Sequence, residues 1–178
     1  DGRRYGDFRL KVPGAHNAFN AGAVILTAHR LGFSIPDIKH ALEQFRGARR
    51  RFDIRGERNS IRVIDDYAHH PTEISATLAA ARGFAPKAKV IVIFQPHRYS
   101  RLKAFLSEFA SELSKADAVA VMEVYAAGEQ PIPAVSGKRL AELIPNAKFL
   151  PSFLDVSEWA STVADPGDLI FTMGAGDI

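Results

Sequence analysis

The sequence predicts an α/β domain with a Rossmann-like, mostly parallel sheet and helices on both faces, preceded by a short helical segment. From about residue 47 onward, apolar stretches alternate with amphipathic helical stretches. Several of these stretches are apolar throughout, as in VIVIF at 90–94, which is typical of strands buried on both faces. Before that point only helical spacing is found. We therefore divide the chain into residues 1–46 and 47–178.

Two helices are predicted in the first segment. Over residues 15–31, apolar side chains recur at helical spacing, and Gly32 follows as a stop signal. The second helix begins at Ser34, which can cap it, and Pro36 fits its first turn. It is expected to end near Phe45.

The second segment begins with a predicted strand pair. RFDIRG (51–56) and NSIRVID (59–65) are expected to form a hairpin whose turn contains Gly56. Helices and strands then alternate regularly. The predicted order is strand 61–64, helix 71–82, strand 89–94, helix 102–113, strand 118–124, helix 137–144, strand 148–150, helix 156–163 and strand 168–173.

Composition excludes several classes of protein. The 178 residues include no cysteine, which removes disulfides and thiolate chemistry. No apolar stretch approaches the roughly 20 residues of a membrane helix, so we expect no membrane partner and a cytoplasmic location. The basic run at 49–51 is short and no basic stripe with aromatics follows it, so we interpret it as solvated and expect no nucleic-acid partner. Both ends look truncated, so we expect a longer protein.

Four polar loops follow four of the predicted strands. They are DDYAHHP (65–71), QPHRYSR (95–101), YAAGEQP (125–131) and GAGD (174–177). Ligands of doubly wound sheets bind at the carboxyl ends of the strands, so these loops are expected to share one edge. The residues predicted to meet there are Asp66, Tyr67, His69, His97, Arg98, Glu129 and the backbone from Gly174 to Gly176.

Each of these residues also has a simpler interpretation. A single Asp or His near a helix start is more often a cap or a solvated side chain. Arg98 beside His97 suits a carboxylate or phosphate but is equally consistent with a surface arginine. Carboxylates and imidazoles also suit Zn or Mn, which would make the chain a metal-dependent phosphohydrolase. The candidate ligands for that alternative are Asp65, Asp66, His69 and His70. Adjacent histidines rarely converge on one ion, so we predict no metal site in this chain.

Taken together, six stretches resemble the Mur ligase family, in the family's order. They are GAHNAFNA (14–21), RRF (50–52), DDYAHHPTE (65–73), FQPHRYSR (94–101), EVYAAGEQPI (123–132) and GAGDI (174–178). The resemblance implies that residues 1–46 are a helical remnant of the central ATPase domain and that 47–178 form the C-terminal Rossmann-like domain. The sequence contains no GxxGKT phosphate loop. The magnesium ligands and the UDP pocket of the family do not correspond to any of these six stretches either. We therefore expect this chain alone to be inactive.

The resemblance also implies a reaction. The carboxylate of UDP-N-acetylmuramate takes the γ-phosphate of ATP, with magnesium, and the amine of L-alanine then displaces phosphate to form the amide. The partners implied are these three small molecules and the remaining domains of the same polypeptide.

Residue roles follow from the same resemblance. His16, Asn17 and Asn20 match adenine contacts of the family. Arg51 matches the arginine facing the ATP phosphates, and Asp66 the ribose-binding carboxylate. The remaining matches surround the amino acid and the acyl phosphate, and they are Tyr67, His69, His97, Arg98, Gly174 and Gly176. Among these, His69, His97 and Arg98 are the predicted catalytic residues, with Arg98 on the alanine carboxylate.

Two alternatives remain open. Members of the family that recycle intact murein peptides also carry an HHP stretch, although the PHRYSR loop is more similar to the alanine-adding members. From another class, the chain could be a non-catalytic nucleotide-binding module that kept the fold without the ATPase.

Overall fold

A six-stranded sheet lies at the centre of the protein, whose computed structural model describes residues 4–178. Its strands are β1 (Asp53–Arg58), β2 (Ile61–Asp66), β3 (Val90–Phe94), β4 (Ala118–Val121), β5 (Ala147–Phe149) and β6 (Leu169–Met173). They are arranged in the order β1-β2-β6-β3-β4-β5. Only the β1–β2 pair is antiparallel. The predicted α/β class with a mostly parallel sheet is confirmed.

Seven helices accompany the sheet in the described part of the chain. They are α1 (Ala15–Arg30), α2 (Ile35–Gln44), α3 (Pro71–Phe84), α4 (Tyr99–Ala104), α5 (Leu106–Leu113), α6 (Gly137–Ala141) and α7 (Phe153–Val163). None of the helices within residues 4–178 has the length and apolar character needed to cross a bilayer.

The apolar core is split by the sheet into two layers. Successive side chains of a strand point to opposite faces, and Val92 and Phe94 accordingly join the core that contains Phe109 of α5. Ile91 joins the second core, against Trp159 of α7. Burial on both faces explains why β3 is apolar throughout, and it confirms the prediction of helices on both sides.

The β1–β2 hairpin differs from the sequence prediction. Gly56 is not in the turn: it lies inside β1, where the pairing register shifts between Ile54 and Gly56. The turn is formed by Asn59 and Ser60, both in the left-handed region with φ of 51° and 62°. A two-residue hairpin loop with a type I′ turn requires this conformation at both positions, and Asn tolerates it better than most residues.

The helix predicted over 102–113 is two helices. Phe105 separates α4 from α5 because its backbone leaves the helical region, with φ −126° and ψ 28°. Its ring packs against the main core and meets the His70 ring edge-on at 4.7 Å between centroids. The break therefore directs Phe105 inward.

The helix predicted from residue 156 begins earlier, at Phe153, because Ser152 accepts the backbone N–H groups of Leu154 and Asp155.

The two predicted N-terminal helices are confirmed, and α1 packs on α2. Ser34 caps α2 by accepting the N–H of Asp37 at 3.3 Å. On α1, Phe19 is 81% exposed, so the helix presents an apolar side chain to solvent. Residues 45–52 connect α2 to β1 outside regular structure. The domain boundary proposed at 46/47 lies in this connection and stays a prediction, and residues 1–3 lie outside the described part.

Candidate functional site

The carboxyl ends of four parallel strands form one edge of the sheet, which we call the rim. The register aligns the last residues of β2, β6, β3 and β4, which are Asp66, Met173, Phe94 and Val121. Hydrogen bonds join the loops that follow. Gly174 donates its N–H to the carbonyl of Asp66 at 3.3 Å, and the backbone N–H of Arg98 donates to the carbonyl of Tyr125 at 2.9 Å. The four polar loops are therefore neighbours.

A row of four aromatic rings runs along the rim. The Tyr67 and His69 ring centroids are 5.1 Å apart, and His69 lies 6.3 Å from His97. His97 stacks on Tyr125, with centroids 5.4 Å apart and planes at 10°. The structure thus brings together three residues predicted for the amino-acid site, and it adds Tyr125, which was not among them.

The tautomer of His69 follows from its neighbours. Its Nδ1 lies 2.8 Å from the carbonyl oxygen of Tyr67. A carbonyl only accepts, so Nδ1 carries the hydrogen. Glu73 Oε2, at 3.3 Å from the same nitrogen, supports this assignment. The Nε2 of the neutral ring is left as a hydrogen-bond acceptor.

His97 has the opposite tautomer. Nη1 of Arg101 lies 3.3 Å from its Nδ1. A guanidinium only donates, so Nδ1 accepts and Nε2 carries the hydrogen of the neutral ring. Burial lowers the pKa of His97, and the charges of Arg101 and Arg98 and the neighbouring His69 lower it further. The carboxylate of Glu129 acts in the opposite direction on this pKa but does not outweigh them. The rim therefore offers one imidazole acceptor and one imidazole donor.

We expect His97 in the 178-residue chain to titrate with a pKa below the ordinary 6.5, followed by the imidazole NMR resonances. The unfolded chain then binds this proton at higher pH than the folded chain, so unfolding free energy rises with pH between the two pKa values and levels off above 6.5. Arg101→Gln should move the midpoint upward, because a positive charge at Nδ1 is lost. Lys103→Gln, on the same helix, removes an exposed charge and should leave it in place. Equal shifts in both variants would contradict the assignment.

Arg98 stands where the PHRYSR loop enters α4. Its φ of 72° is left-handed, and its half-exposed side chain places Nη1 3.9 Å from Glu129 Oε1. Glu129 is itself fixed, because it accepts from the N–H of Ser100 at 2.9 Å and from the Ser100 hydroxyl at 2.6 Å. These bonds lower the pKa of Glu129. Glu129 therefore remains a carboxylate that ties the loop after β4 to α4.

A cleft of about 1110 Å³ separates α1 and α2 from the sheet domain. It is lined by all five residues predicted for the nucleotide, which are His16, Asn17, Asn20, Arg51 and Asp66. Most of the remaining lining is apolar, with side chains such as Val24, Phe33 and Leu42. A flat aromatic base with polar edges is the kind of ligand that such a lining fits.

Asp66 joins the cleft to the rim. Its side chain is buried, and its two oxygens accept the N–H groups of Phe52 and Ala68, each at 2.9 Å. Burial raises the pKa of Asp66 although these hydrogen bonds and the charge of Arg51 oppose the rise. The carboxylate therefore fastens the 45–52 connection to the end of β2, and a ligand would meet only its remaining lone pairs.

Glu73 organises the start of α3. Its Oε2 accepts the N–H groups of His69 and His70, at 3.0 and 3.2 Å, and its Oε1 lies 3.3 Å from Nη1 of Arg51. Burial raises the pKa of Glu73, but the backbone bond from His69, the adjacent His69 ring and the hydrogen bond and charge of Arg51 outweigh it and lower the pKa overall. Glu73 was missed from the sequence, although its place three residues after the cap His70 is a capping-box signal.

The residues of the metal-site alternative point to separate partners. Asp65 pairs with Arg50 and accepts from Thr172, while His70 caps α3. Within residues 4–178, no group of three or more His, Asp or Glu side chains suits a metal ion. This arrangement gives the phosphohydrolase interpretation no support.

Arg50 corrects the interpretation of residues 49–51 as a solvated charge run. Its side chain is 28% exposed and donates to Asp65, Gly174 and Gly176. No spacing rule connects residue 50 with residues 174–176, so the sequence carried no signal for this role.

Comparisons with known proteins agree on one family. Residues 50–176 match the family profile described as Mur ligase, glutamate ligase domain. The chain is 51% identical over 180 residues to the UDP-N-acetylmuramate–L-alanine ligase of Acidothermus cellulolyticus, covering 99% of this chain and 38% of that protein.

Solved structures give the same result. The UDP-N-acetylmuramate–alanine ligase of Thermotoga maritima superposes with a TM-score of 0.81 at 37% identity, covering 99% of this chain and 38% of that one. A murein peptide ligase of Psychrobacter arcticus gives 0.65 at 28% identity, covering 95% and 36%. The chain thus spans between 36% and 38% of the length of these relatives.

Proposed function

The chain belongs to the Mur ligase family, and from this premise we propose that it is the C-terminal part of an enzyme that joins L-alanine to UDP-N-acetylmuramate with conversion of ATP to ADP. The observation that carries the proposal is the pair of imidazoles at the rim. His69 and His97 come from the DDYAHHP and QPHRYSR loops, and their ring centroids lie 6.3 Å apart, with opposite tautomers.

The cleft is the proposed nucleotide site. His16, Asn17 and Asn20 offer hydrogen-bonding edges for adenine, and Arg51 is a cation lining the same cleft for the phosphates. ATP with magnesium, when bound, would supply the phosphoryl group that activates the muramoyl carboxylate. Asp66 accepts from ribose hydroxyls through its remaining lone pairs. We expect the metal ligands outside this chain, and magnesium stays a prediction.

The rim is the proposed amino-acid site. The amine of L-alanine forms the new C–N bond to the activated carbonyl carbon, the C–O bond to phosphate breaks, and phosphate leaves. The proton lost by the amine goes to Nε2 of His69, the acceptor nitrogen of the neutral ring, since Tyr67 and Glu73 occupy Nδ1. Nε2–H of His97 donates to an anionic oxygen of the reacting acyl group.

Two further elements hold the substrates in place. The guanidinium of Arg98 suits the alanine carboxylate, because a planar fork matches two carboxylate oxygens. Gly174 and Gly176 are buried, and a Cβ on Gly176 would lie 2.4 Å from Gln95 Oε1 and 3.0 Å from the Tyr125 ring. Glycine therefore keeps the turn close to the aromatic row, where backbone approaches the substrates.

The proposal is tested by an assay with defined substrates. The complete enzyme containing this chain should form UDP-N-acetylmuramoyl-L-alanine from UDP-N-acetylmuramate, L-alanine and ATP, detected by mass spectrometry. The 178-residue chain alone should form none, because its sequence contains no GxxGKT phosphate loop. Turnover by this chain alone would contradict the division of labour.

One alternative is kept because of a specific likeness. The murein peptide ligase of Psychrobacter arcticus shares the fold at 28% identity. If the complete enzyme prefers an intact murein tripeptide to L-alanine, the recycling reaction replaces the one proposed here. Neither product, with ATP bound, would favour a non-catalytic nucleotide-binding module. A cytoplasmic location stays a prediction.

A further inference from the structure

Arg50, which has no predicted role in the site, contacts more partners at the rim than a surface arginine would. The guanidinium of Arg50 spans three parts of the chain. Its Nε donates to Asp65 at 3.2 Å, Nη1 to the carbonyl of Gly176 at 3.0 Å and Nη2 to the carbonyl of Gly174 at 2.8 Å. It also lies over the Tyr67 ring, 5.1 Å from the centroid. The 45–52 connection, β2 and the glycine turn after β6 are thus held by one group.

The backbone of Arg50 is fixed as firmly as its side chain. Its φ of 56° is left-handed, which is uncommon for a residue with a side chain. The conformation is held by two hydrogen bonds: Tyr67 donates its N–H to the Arg50 carbonyl at 2.6 Å, and the Arg50 N–H reaches Asp53 Oδ2 at 3.3 Å. The guanidinium is therefore presented to the glycine turn from a rigid point.

These contacts set the direction of two peptide groups. Peptides are planar and trans, so the N–H of one residue points opposite to the carbonyl of the residue before it. With the carbonyls of Gly174 and Gly176 directed at Arg50, the N–H groups of Ala175 and Asp177 face away from the connection. Backbone N–H groups that are fixed in direction and aimed at one position stabilise anionic oxygens there.

We propose that Arg50 is a positioning residue of the ligase site, which orients the peptide groups of the glycine turn so that the N–H groups of Ala175 and Asp177 meet an anionic oxygen of the reacting acyl group. The proposal rests on the proposed function. A lysine cannot take its place, because an ammonium is a single point that cannot reach two carbonyls and a carboxylate in the geometry of a planar fork.

The test compares Arg50→Lys with Arg49→Lys in the complete enzyme. Arg49 is the exposed neighbour, so both variants keep the charge and only one loses the fork. Arg50→Lys should lower kcat roughly 10- to 100-fold, as small misplacements at a reacting centre do. The KM values for ATP and L-alanine should change much less, because the turn acts on the reacting group. Arg49→Lys should match the wild type.

A second readout needs no activity. In the 178-residue chain, the amide NMR resonances of Ala175 and Asp177 should shift in Arg50→Lys and stay in place in Arg49→Lys. The inference is overturned if Arg50→Lys retains full kcat, if both lysine variants lose activity equally, or if the loss disappears on cooling, which would show mere instability. A wild-type enzyme that forms no ligation product overturns the proposed function instead, and the amide shifts still report whether Arg50 orients the turn.

Discussion

His69→Ala in the complete enzyme is expected to lower kcat by about 100- to 10,000-fold, the range typical of a lost general base. Nδ1 of His69 is occupied by the Tyr67 carbonyl, so Nε2 is the acceptor that it offers to the amine of L-alanine. Alanine at position 69 keeps the backbone N–H that Glu73 accepts, so the start of α3 should survive. Initial rates at saturating ATP and L-alanine give the measurement.

His70→Ala is the matched control for this variant. His70 is adjacent, but its ring accepts the N–H of Thr72 and packs on Phe105. Its loss should cost about 1 kcal/mol of unfolding free energy, as for other helix caps, and leave kcat close to wild type below the melting transition. If His70→Ala lowers kcat as much as His69→Ala does, the proton is not passed to His69. A fall only in ATP affinity would also exclude that role.

The fold was predictable where local pattern and burial agree. Val90–Phe94 is apolar throughout because both faces of β3 are covered, and that signal is visible in the sequence. The hairpin turn was misplaced because glycine is a common turn residue, whereas here Gly56 serves a register shift and Asn59 takes the left-handed position. Phe105, at the break between α4 and α5, packs on the main core and on the His70 ring, and helical spacing carries no trace of such contacts.

The site divides in the same way. Polar residues that directly follow strands could be assigned to one rim, because parallel strands bring their carboxyl ends together. Residues that position other groups through contacts distant in the chain could not be predicted from the sequence. Arg50 looked like part of an exposed basic run, and its partners lie 15 and more than 120 positions away along the chain. Tyr125 enters the aromatic row only through stacking on His97.

Arg98→Ala in the complete enzyme should lower kcat/KM for L-alanine by roughly 10- to 150-fold, because a charge-assisted hydrogen bond to the alanine carboxylate is lost. The use of ATP should change much less. The fold should tolerate the change, because the side chain is half exposed and its ion pair with Glu129 is long, at 3.9 Å. Arg98→Lys should recover only part of the loss, since an ammonium cannot form two parallel hydrogen bonds with the carboxylate.

Arg51→Ala should affect kcat and the use of ATP, and not the binding of L-alanine. Arg51 lines the cleft, where it pairs with Glu73 at 3.3 Å, and its proposed ligand is a phosphate whose charge changes during transfer. We expect kcat to fall about 100-fold with weaker use of ATP, whereas the KM for L-alanine stays near wild type. Both variants must first show a melting temperature like that of the wild type. Saturation curves for L-alanine and for ATP then decide the matter: if Arg98→Ala raises the KM for ATP as much as that for L-alanine, or changes neither, Arg98 does not hold the amino acid and the rim and cleft do not divide the substrates as proposed.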